Sequence, residues 1–448
     1  YDGSKLVPYL AKSWKATPTQ ITLTLRNDAT CADGTRVTPT VVANSLTRYL
    51  KTYTAILQEY GPGPYTVTAD DAAGTVTLAL GTPNSDAVYY LAEPNSGIVC
   101  PAGLANPGSL VATPQGSGPY TLVSAVHGDA ITFKLRPDWK WGPEGTTAQT
   151  PGMPETLTFK VVANGTTAAN LLLTGGLDVA SITGADVARL KGNKTFRQYP
   201  AHSLASYTVY FNGFAPHPTA DLQVRRALTA ALDAKGWNQA ANFGQGAIST
   251  SFLEPGAECY DATTAKDLVT GGPAKAKQIL QAAGYTLNSS GKLERNGQPL
   301  VVTVVAGNTL NSGPDYAVAQ YTAAGITVNS QITDFATASF RSKAGNFDVY
   351  FGSNPLDLPV ASGGFRYVAG ANNFGHSNDP TLNSAIVGAL SASGGGLCPA
   401  WSRVQELALQ DAVAEPVPAP LNIWFTKGIQ VVPGSIAIQP QFIRRLSP

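Results

Sequence analysis

Several short runs along the chain alternate hydrophobic and polar residues, which is the pattern of half-buried β-strands. ITLTLR at residues 21–26 has this period of two. YTVTADDAAGTVTLAL at residues 65–80 contains two such runs joined by Asp-Ala-Ala-Gly, which predicts a β-hairpin. Between these segments, Thr38 and Pro39 suit the N-cap and first position of a helix. The N-terminal region therefore predicts a small unit of strands with one helix.

A helical period is clearest in ADLQVRRALTAALD at residues 220–233. Arg225 and Arg226 lie off its apolar face, so we expect both on the solvated surface of the helix. The apolar residues recur at i, i+3, i+4, i+7 and i+8, and they are Val224, Ala227, Leu228, Ala231 and Leu232.

The later part of the chain alternates strands with helices. LVVTVVA at 300–306 and ITVNSQI at 326–332 read as strands, and a helix-like segment at 314–325 lies between them. This order predicts a parallel or mixed sheet with helices on its faces. FDVYFGSNPLDLPVAS at 347–362 adds a strand with Val349 and Phe351 on one face, and it breaks at Gly352. The fold class is therefore mixed α/β.

Length and charge narrow the choice of function. A chain of 448 residues favours two or three domains. Only 13% of residues are charged and the net charge is +1, so nothing attracts nucleic acid or an anionic membrane electrostatically. No window is apolar enough for a membrane span. The chain has no initiator Met and no signal segment at its start, so we expect a processed or truncated form.

The four cysteines lie far apart and never as CxxC, which argues against a zinc knuckle. Three pairings into two disulfides are possible. We favour Cys31 with Cys100 and Cys259 with Cys398, because each pair then lies within one predicted domain. Disulfides would place the protein outside the cytoplasm, whereas four free thiols would fit a cytosolic protein.

Motifs for catalysis or metal binding are absent from the sequence. There is no GxSxG, no HExxH and no Walker-type loop, and GQGAIST at 244–250 lacks the third glycine of a dinucleotide loop. Scattered acids leave a glycosidase open without supporting one. We therefore expect a binding protein without catalytic residues, metal or cofactor. The four histidines are isolated and are expected in loops or on the surface: His127, His202, His217 and His376.

Six stretches, in order along the chain, match the motifs of one known family. They include KLVPYLAKSW at 5–14, GSGPYTL at 116–122, VYFNGFAPHPTADLQVRRALTAALD at 209–233 and AKAKQILQAAGY at 274–285. These stretches resemble the family 5 solute-binding proteins, the peptide and nickel receptors of ABC importers. The resemblance spans essentially the whole chain. It implies a two-lobe periplasmic-binding-protein-like fold with a ligand cleft between the lobes and an extra domain inserted in lobe one.

The resemblance also implies boundaries and partners. The inserted domain would be residues 1–112, lobe one 113–255 with 416–448, and lobe two 256–415. Members usually carry a further strand-rich segment before the position of Tyr1, and it would complete the sheet of lobe one. The family captures solutes by hinge closure and delivers them to a membrane permease without catalysis. We expect an extracytoplasmic monomer, lipid-anchored to the outer face of the cytoplasmic membrane, with no nucleic-acid partner.

In the peptide-binding branch, an acid after the FDV strand pairs with the ligand's α-ammonium group, and the corresponding residue is Asp357. The alternative for Asp357 is a turn acid that caps a backbone N–H. Phe351 and Asn354 stand where such receptors carry a tryptophan and an arginine, which weakens the assignment to peptides.

The ligand therefore stays open between peptides or amino compounds, a carbohydrate or other neutral solute, and a regulatory protein contact in the cell envelope. Polar and aromatic residues near Asp357 could bind sugar hydroxyls and rings. The candidate ligand residues are Asp357, Asn354, Phe351, Ser353, Asn372, Asn373 and Phe374.

Overall fold

The structure is a computed structural model that describes residues 5–53, 56–201, 203–352, 358, 360–365, 373, 376–377, 379–432 and 437–446. The chain divides into two compact units. Unit one is Tyr1–Ala201 with Asn422–Pro448, and unit two is His202–Leu421.

Strands occur in both units. In chain order they are β1 (Ala11–Thr17), β2 (Gln20–Leu25), β3 (Tyr65–Asp70), β4 (Thr75–Leu80), β5 (Tyr120–Val126), β6 (Ala130–Leu135), β7 (Thr156–Lys160), β8 (Val179–Ile182), β9 (Arg197–Ala201), β10 (Tyr207–Phe211), β11 (Thr286–Leu287), β12 (Leu293–Arg295), β13 (Gln298–Pro299), β14 (Val301–Gly307), β15 (Thr327–Thr333), β16 (Val349–Gly352), β17 (Ala414–Val417), β18 (Asn422–Thr426), β19 (Ile429–Gln430) and β20 (Arg444–Arg445).

Helices occur between the strands. They are α1 (Pro39–Thr52), α2 (Ile56–Tyr60), α3 (Ala87–Tyr90), α4 (Pro101–Ala105), α5 (Gly165–Thr174), α6 (Asp186–Lys191), α7 (Leu222–Ala231), α8 (Ala234–Asn242), α9 (Gly272–Ala282), α10 (Gly313–Ala323), α11 (Phe335–Lys343), α12 (Pro380–Ser391) and α13 (Leu397–Gln410). None of these helices is long and apolar enough to cross a membrane.

Unit one contains a four-stranded antiparallel sheet in the order β1-β2-β4-β3, and α1 lies against it. The predicted hairpin is confirmed as β3 paired with β4. Thr38 is the N-cap of α1, as predicted, and its side chain accepts a hydrogen bond from the Val41 amide at 3.3 Å. Two three-stranded sheets, β5-β6-β7 and β8-β18-β9, and the two-stranded pair β19-β20 also belong to this unit.

Unit two contains a five-stranded mixed sheet in the order β15-β14-β16-β10-β17. β14 pairs in parallel with both β15 and β16, so the predicted β-α-β alternation is confirmed. Strand β10 runs antiparallel to β16 and β17. One face of the sheet packs on a core cluster that includes Trp237 and Leu228, and the other on a cluster that includes Trp401. Apolar residues on both faces explain why these strands read as nearly continuous hydrophobic runs.

The division at residue 202 differs from the predicted lobe boundary at residue 256. Residues 207–211 were placed in lobe one, yet they form β10, which hydrogen-bonds to β16 and β17 at the centre of the unit-two sheet. The residue ranges of the two lobes stay predictions. The extra domain at residues 1–112 stays a prediction.

Arg225 does not lie on a solvated surface, so that expectation was wrong. It is 9% exposed, and burial lowers the pKa of its guanidinium group. The guanidinium has five N–H donors in a fixed geometry, and here it fits a cluster of carbonyl oxygens. Arg225 donates to the backbone carbonyls of Thr219, Ala220, Asp411 and Ala412.

Both favoured disulfides are confirmed. Cys31 bonds to Cys100 within unit one, and Cys259 bonds to Cys398 within unit two. Each bridge joins two segments of the same unit, so each crosslinks one packed body.

Candidate functional site

Three parallel strands of the unit-two sheet end at one edge of that sheet. β14, β15 and β16 are parallel, so their last residues, Gly307, Thr333 and Gly352, lie at the same edge, called here the C-terminal edge. Open α/β sheets bind ligands outside the carboxyl ends of their parallel strands. The N-terminal end of β10 also lies here, because Thr208 pairs with Gly352.

Aromatic stacking on both faces of β16 holds the end of this strand at the C-terminal edge. Phe351 stacks on Trp237 with ring centroids 5.1 Å apart, and on the opposite face Tyr350 stacks on Tyr210 at 6.0 Å. The predicted alternation of β16 is therefore confirmed. A Cβ at Gly352 would lie 2.7 Å from a ring carbon of Tyr210, so this position requires glycine.

The predicted ligand residues divide between core, turn and undescribed positions. Phe351 is 2% exposed with a face covered by Trp237, so its packing does not favour the expected contact with a ligand. Asn373 closes a turn, because its Oδ1 accepts from the Ser377 amide at 2.7 Å and its Nδ2 donates to the Ser377 carbonyl. Outside the described residues lie Ser353, Asn354, Asp357, Asn372 and Phe374, whose ligand roles stay predictions.

A second segment, residues 249–257, pairs with residues 204–206, which immediately precede β10. The Ser206 amide donates to the Phe252 carbonyl at 3.1 Å, and the Glu254 amide donates to the Leu204 carbonyl at 3.0 Å. Ala205 and Leu253 form an isolated antiparallel bridge between these two hydrogen bonds. Because β10 begins at the C-terminal edge, this pairing brings residues 249–257 to that edge.

Apolar side chains anchor the segment. Phe252 is fully buried and packs against Phe365, with ring centroids 5.2 Å apart, and Phe365 stacks on Trp401 at 5.5 Å. The Ser251 hydroxyl donates to the side-chain oxygen of Gln405. The backbone on which Glu254 stands is therefore fixed by both packing and hydrogen bonds.

Glu254 is the acid that this segment contributes. It is 7% exposed, and its Oε1 accepts a hydrogen bond from the Ser249 hydroxyl. Burial raises the pKa of the Glu254 carboxyl above its ordinary value. We did not predict this residue, although it carries the same signal as Asp357, a lone acid after an uncharged run at residues 236–253.

Glu415 is a second buried acid of unit two, and it lies in the core. It shares a strand face with Val417, a member of the core cluster, and burial raises the pKa of its carboxyl well above the ordinary value. Its Oε2 and the hydroxyl of the neighbouring Tyr321 have no hydrogen-bond partner within the described part of the chain. The environment of Glu415 is thus packed side chains.

The C-terminal edge contains no cluster of metal-binding side chains among the residues that the structure describes. No group of three or more His, Cys, Asp or Glu side chains there could hold a metal ion. A cavity of about 710 Å³ lies in unit one and is lined partly by Lys12, Arg26 and Tyr9. Glu144 also lines this cavity and Arg26 is paired with Asp28, so the lining favours neither an anion nor an ammonium group.

Comparison with known proteins gives a consistent result. The sequence model of the bacterial extracellular solute-binding proteins, family 5 Middle, matches residues 5–376. The probable D,D-dipeptide-binding periplasmic protein DdpA of Escherichia coli K12 is 28% identical over 265 residues, which are 57% of this chain and 49% of that protein. The chain spans about half the length of the curated relatives that it matches.

Solved structures agree in fold. A substrate-binding protein from Microbacterium hydrocarbonoxydans, complexed with 4-hydroxybenzoate hydrazide, has a TM-score of 0.81 and 26% identity, covering 98% of this chain and 91% of that one. The A. tumefaciens R10 protein AgaA, in complex with agropinic acid, has a TM-score of 0.80 and 21% identity, covering 100% and 91%. The predicted periplasmic-binding-protein-like fold is confirmed.

Proposed function

We propose that this chain, which belongs to the bacterial extracellular solute-binding proteins of family 5, is the receptor of an ABC importer for peptides or other amino compounds. The match over residues 5–376 carries this proposal. Such a receptor binds its solute outside the cytoplasm, closes by a hinge motion and presents the solute to a permease without catalysing a reaction. Binding energy drives the closure, so affinity depends on how populated the closed state is before ligand arrives.

Two relatives support an amine-bearing ligand. The name of the Escherichia coli relative specifies a D,D-dipeptide, and the Microbacterium hydrocarbonoxydans structure contains an acyl hydrazide. A dipeptide and a hydrazide both end in a nitrogen with several N–H donors, and a carboxylate is a strong acceptor for such a group. Asp357 is the acid for which the sequence predicts this role.

The cellular setting follows from the same family assignment. Members are extracellular or periplasmic binding proteins, and the two disulfides fit an oxidising compartment. We propose that the receptor is a monomer, is held to the outer face of the cytoplasmic membrane by a lipid anchor, and meets its permease there.

A neutral solute such as a carbohydrate is the alternative ligand class, and two observations weaken it. Phe351, a proposed stacking platform, packs on Trp237 instead. Asn373, a proposed partner of sugar hydroxyls, uses both ends of its amide in the turn with Ser377. The regulatory role in the cell envelope gains no specific support.

The proposal is tested by calorimetric titration of the purified protein. The probes are alanine peptides of two to five residues, their N-acetylated forms, benzoic hydrazide and a set of neutral oligosaccharides. We expect binding of at least one free-amine probe and weaker binding of its acetylated form. Binding of oligosaccharides with no response to any amine would contradict the proposal.

A further inference from the structure

We propose that Glu254 holds a primary ammonium group of the ligand, as a carboxylate acceptor at the C-terminal edge of the unit-two sheet. This inference rests on the proposed function and adds to it a ligand-contacting residue that the family resemblance did not provide.

Glu254 lies at the C-terminal edge of the unit-two sheet. Its amide donates to the carbonyl of Leu204 at 3.0 Å, and Leu204 lies three residues before β10 begins at Tyr207. The strand pair of Thr208 with Gly352 places that beginning beside the end of β16. Glu254 therefore stands at the edge where β14, β15 and β16 end, which is where α/β sheets receive ligands.

The buried Glu254 carboxyl can accept more hydrogen bonds than Ser249 provides. A carboxyl that is 7% exposed is costly to ionise unless a cation or several donors accompany it. The Ser249 hydroxyl donates to the Glu254 carboxyl, and burial is the larger influence and raises the pKa of that carboxyl. An ammonium group supplies one positive charge and three N–H donors, which complete what Ser249 provides only in part.

The backbone of Glu254 is held in place before any ligand binds. The Glu254 amide is bound to Leu204, and its carbonyl accepts from the Ala257 amide at 3.0 Å. The residue before it, Leu253, is 1% exposed in the core cluster. A carboxyl held in place before binding loses little conformational entropy when the ligand arrives, so more of the contact energy appears as affinity.

Glu415 provides a matched comparison within the same unit. Both glutamates are buried and burial raises both pKa values, but Glu415 lies among core side chains on β17. Replacing Glu415 should change stability and leave ligand affinity nearly constant. Replacing Glu254 should change affinity.

Proton linkage gives a signature specific to Glu254. Its pKa is raised in the free protein, and a bound ammonium group would lower it. The carboxyl therefore loses its proton on binding wherever it is protonated beforehand. Affinity for an amine probe should rise as pH increases toward and through the raised pKa, and this dependence should be absent when residue 254 cannot titrate.

The test compares wild type, Glu254→Gln, Glu415→Gln and Asp357→Asn by calorimetry with a free-amine peptide and its N-acetylated form. We expect Glu254→Gln to weaken binding of the free amine about tenfold or more and to remove much of the pH dependence. In that variant, acetylating the probe should cost little, because the two changes remove the same interaction. Glu415→Gln should bind within about twofold of wild type.

Three outcomes overturn the inference. If Glu254→Gln keeps the affinity and pH dependence of wild type while Asp357→Asn loses binding, the proposed function stands and Glu254 has no ligand role. If wild type binds free and acetylated probes equally, no ammonium contact exists; this result needs no variant and is independent of folding defects. If wild type binds none of the probes, both proposals fail.

Discussion

The Nδ1 atom of His217 lies 2.7 Å from the Oδ1 atom of Asp348, and the Oδ2 atom of the same carboxylate accepts a hydrogen bond from the Thr303 amide at 2.6 Å. One carboxyl group thereby joins the segment after β10 to the first residues of β14 and β16. His217 lies in the loop after β10, as expected, and its side chain is 28% exposed and paired with Asp348.

Asp348→Asn should lower the free energy of unfolding of unit two by about 2 kcal/mol, since an amide replaces two charge-assisted acceptors in a buried position. His217→Ala removes one of the two contacts and should cost about 1 kcal/mol. Urea denaturation measures both values. The control is Asp315→Asn, which alters an exposed acid of α10 and should stay within about 0.5 kcal/mol. Equal effects at Asp348 and Asp315 would contradict the structural role of the pair.

Adjacent arginines on α7 provide a second comparison. Arg225→Ala leaves four backbone carbonyls without this donor, two of them on the buried residues Thr219 and Ala412, and should cost at least about 2 kcal/mol. Arg226 makes a single exposed hydrogen bond to the Gln410 carbonyl, so Arg226→Ala should cost less than about 1 kcal/mol. Chemical denaturation of the two variants side by side checks this order. A larger loss at Arg226 would refute it.

Glu415 should make stability depend on pH. Its folded-state pKa lies well above the ordinary value of 4.5, so the native state retains a proton that the unfolded chain releases. The stabilisation is complete below that ordinary value and is lost as pH rises toward the folded pKa, by about 1.4 kcal/mol per pH unit for one group.

Glu415→Gln should reduce this slope, because a glutamine side chain does not titrate. Denaturation midpoints measured from acidic to mildly alkaline pH give the slopes of wild type and variant. Glu294→Gln is the control, and its slope should match that of wild type. Some slope should persist in Glu415→Gln, because the raised pKa of Glu254 acts in the same direction. An unchanged slope in Glu415→Gln would show that this acid is ionised in the native state.

At the C-terminal edge, the sequence predicts the alternation of side chains along a strand but not the tertiary contacts that those side chains make. The alternation in FDVYFG placed Phe351 and Tyr350 on opposite faces of a strand, because side chains alternate along any extended chain. The sequence of this strand does not show that Trp237, more than a hundred residues earlier in the chain, covers the Phe351 ring. Glu254 was missed for a related reason, since its place at this edge depends on the pairing of its amide with the Leu204 carbonyl, fifty residues earlier in the chain.

Local periodicity, cap residues and ordered motifs by themselves determined the mixed α/β class, several of the helices and strands, and the family. These features depend on neighbours within a few residues or on motifs that survive in sequence. Only tertiary structure decided that β10 lies inside unit two, that Arg225 is buried and that His217 meets Asp348. Each of these outcomes depends on contacts between segments far apart in the chain, and hydrogen bonds of that kind leave no period in the sequence.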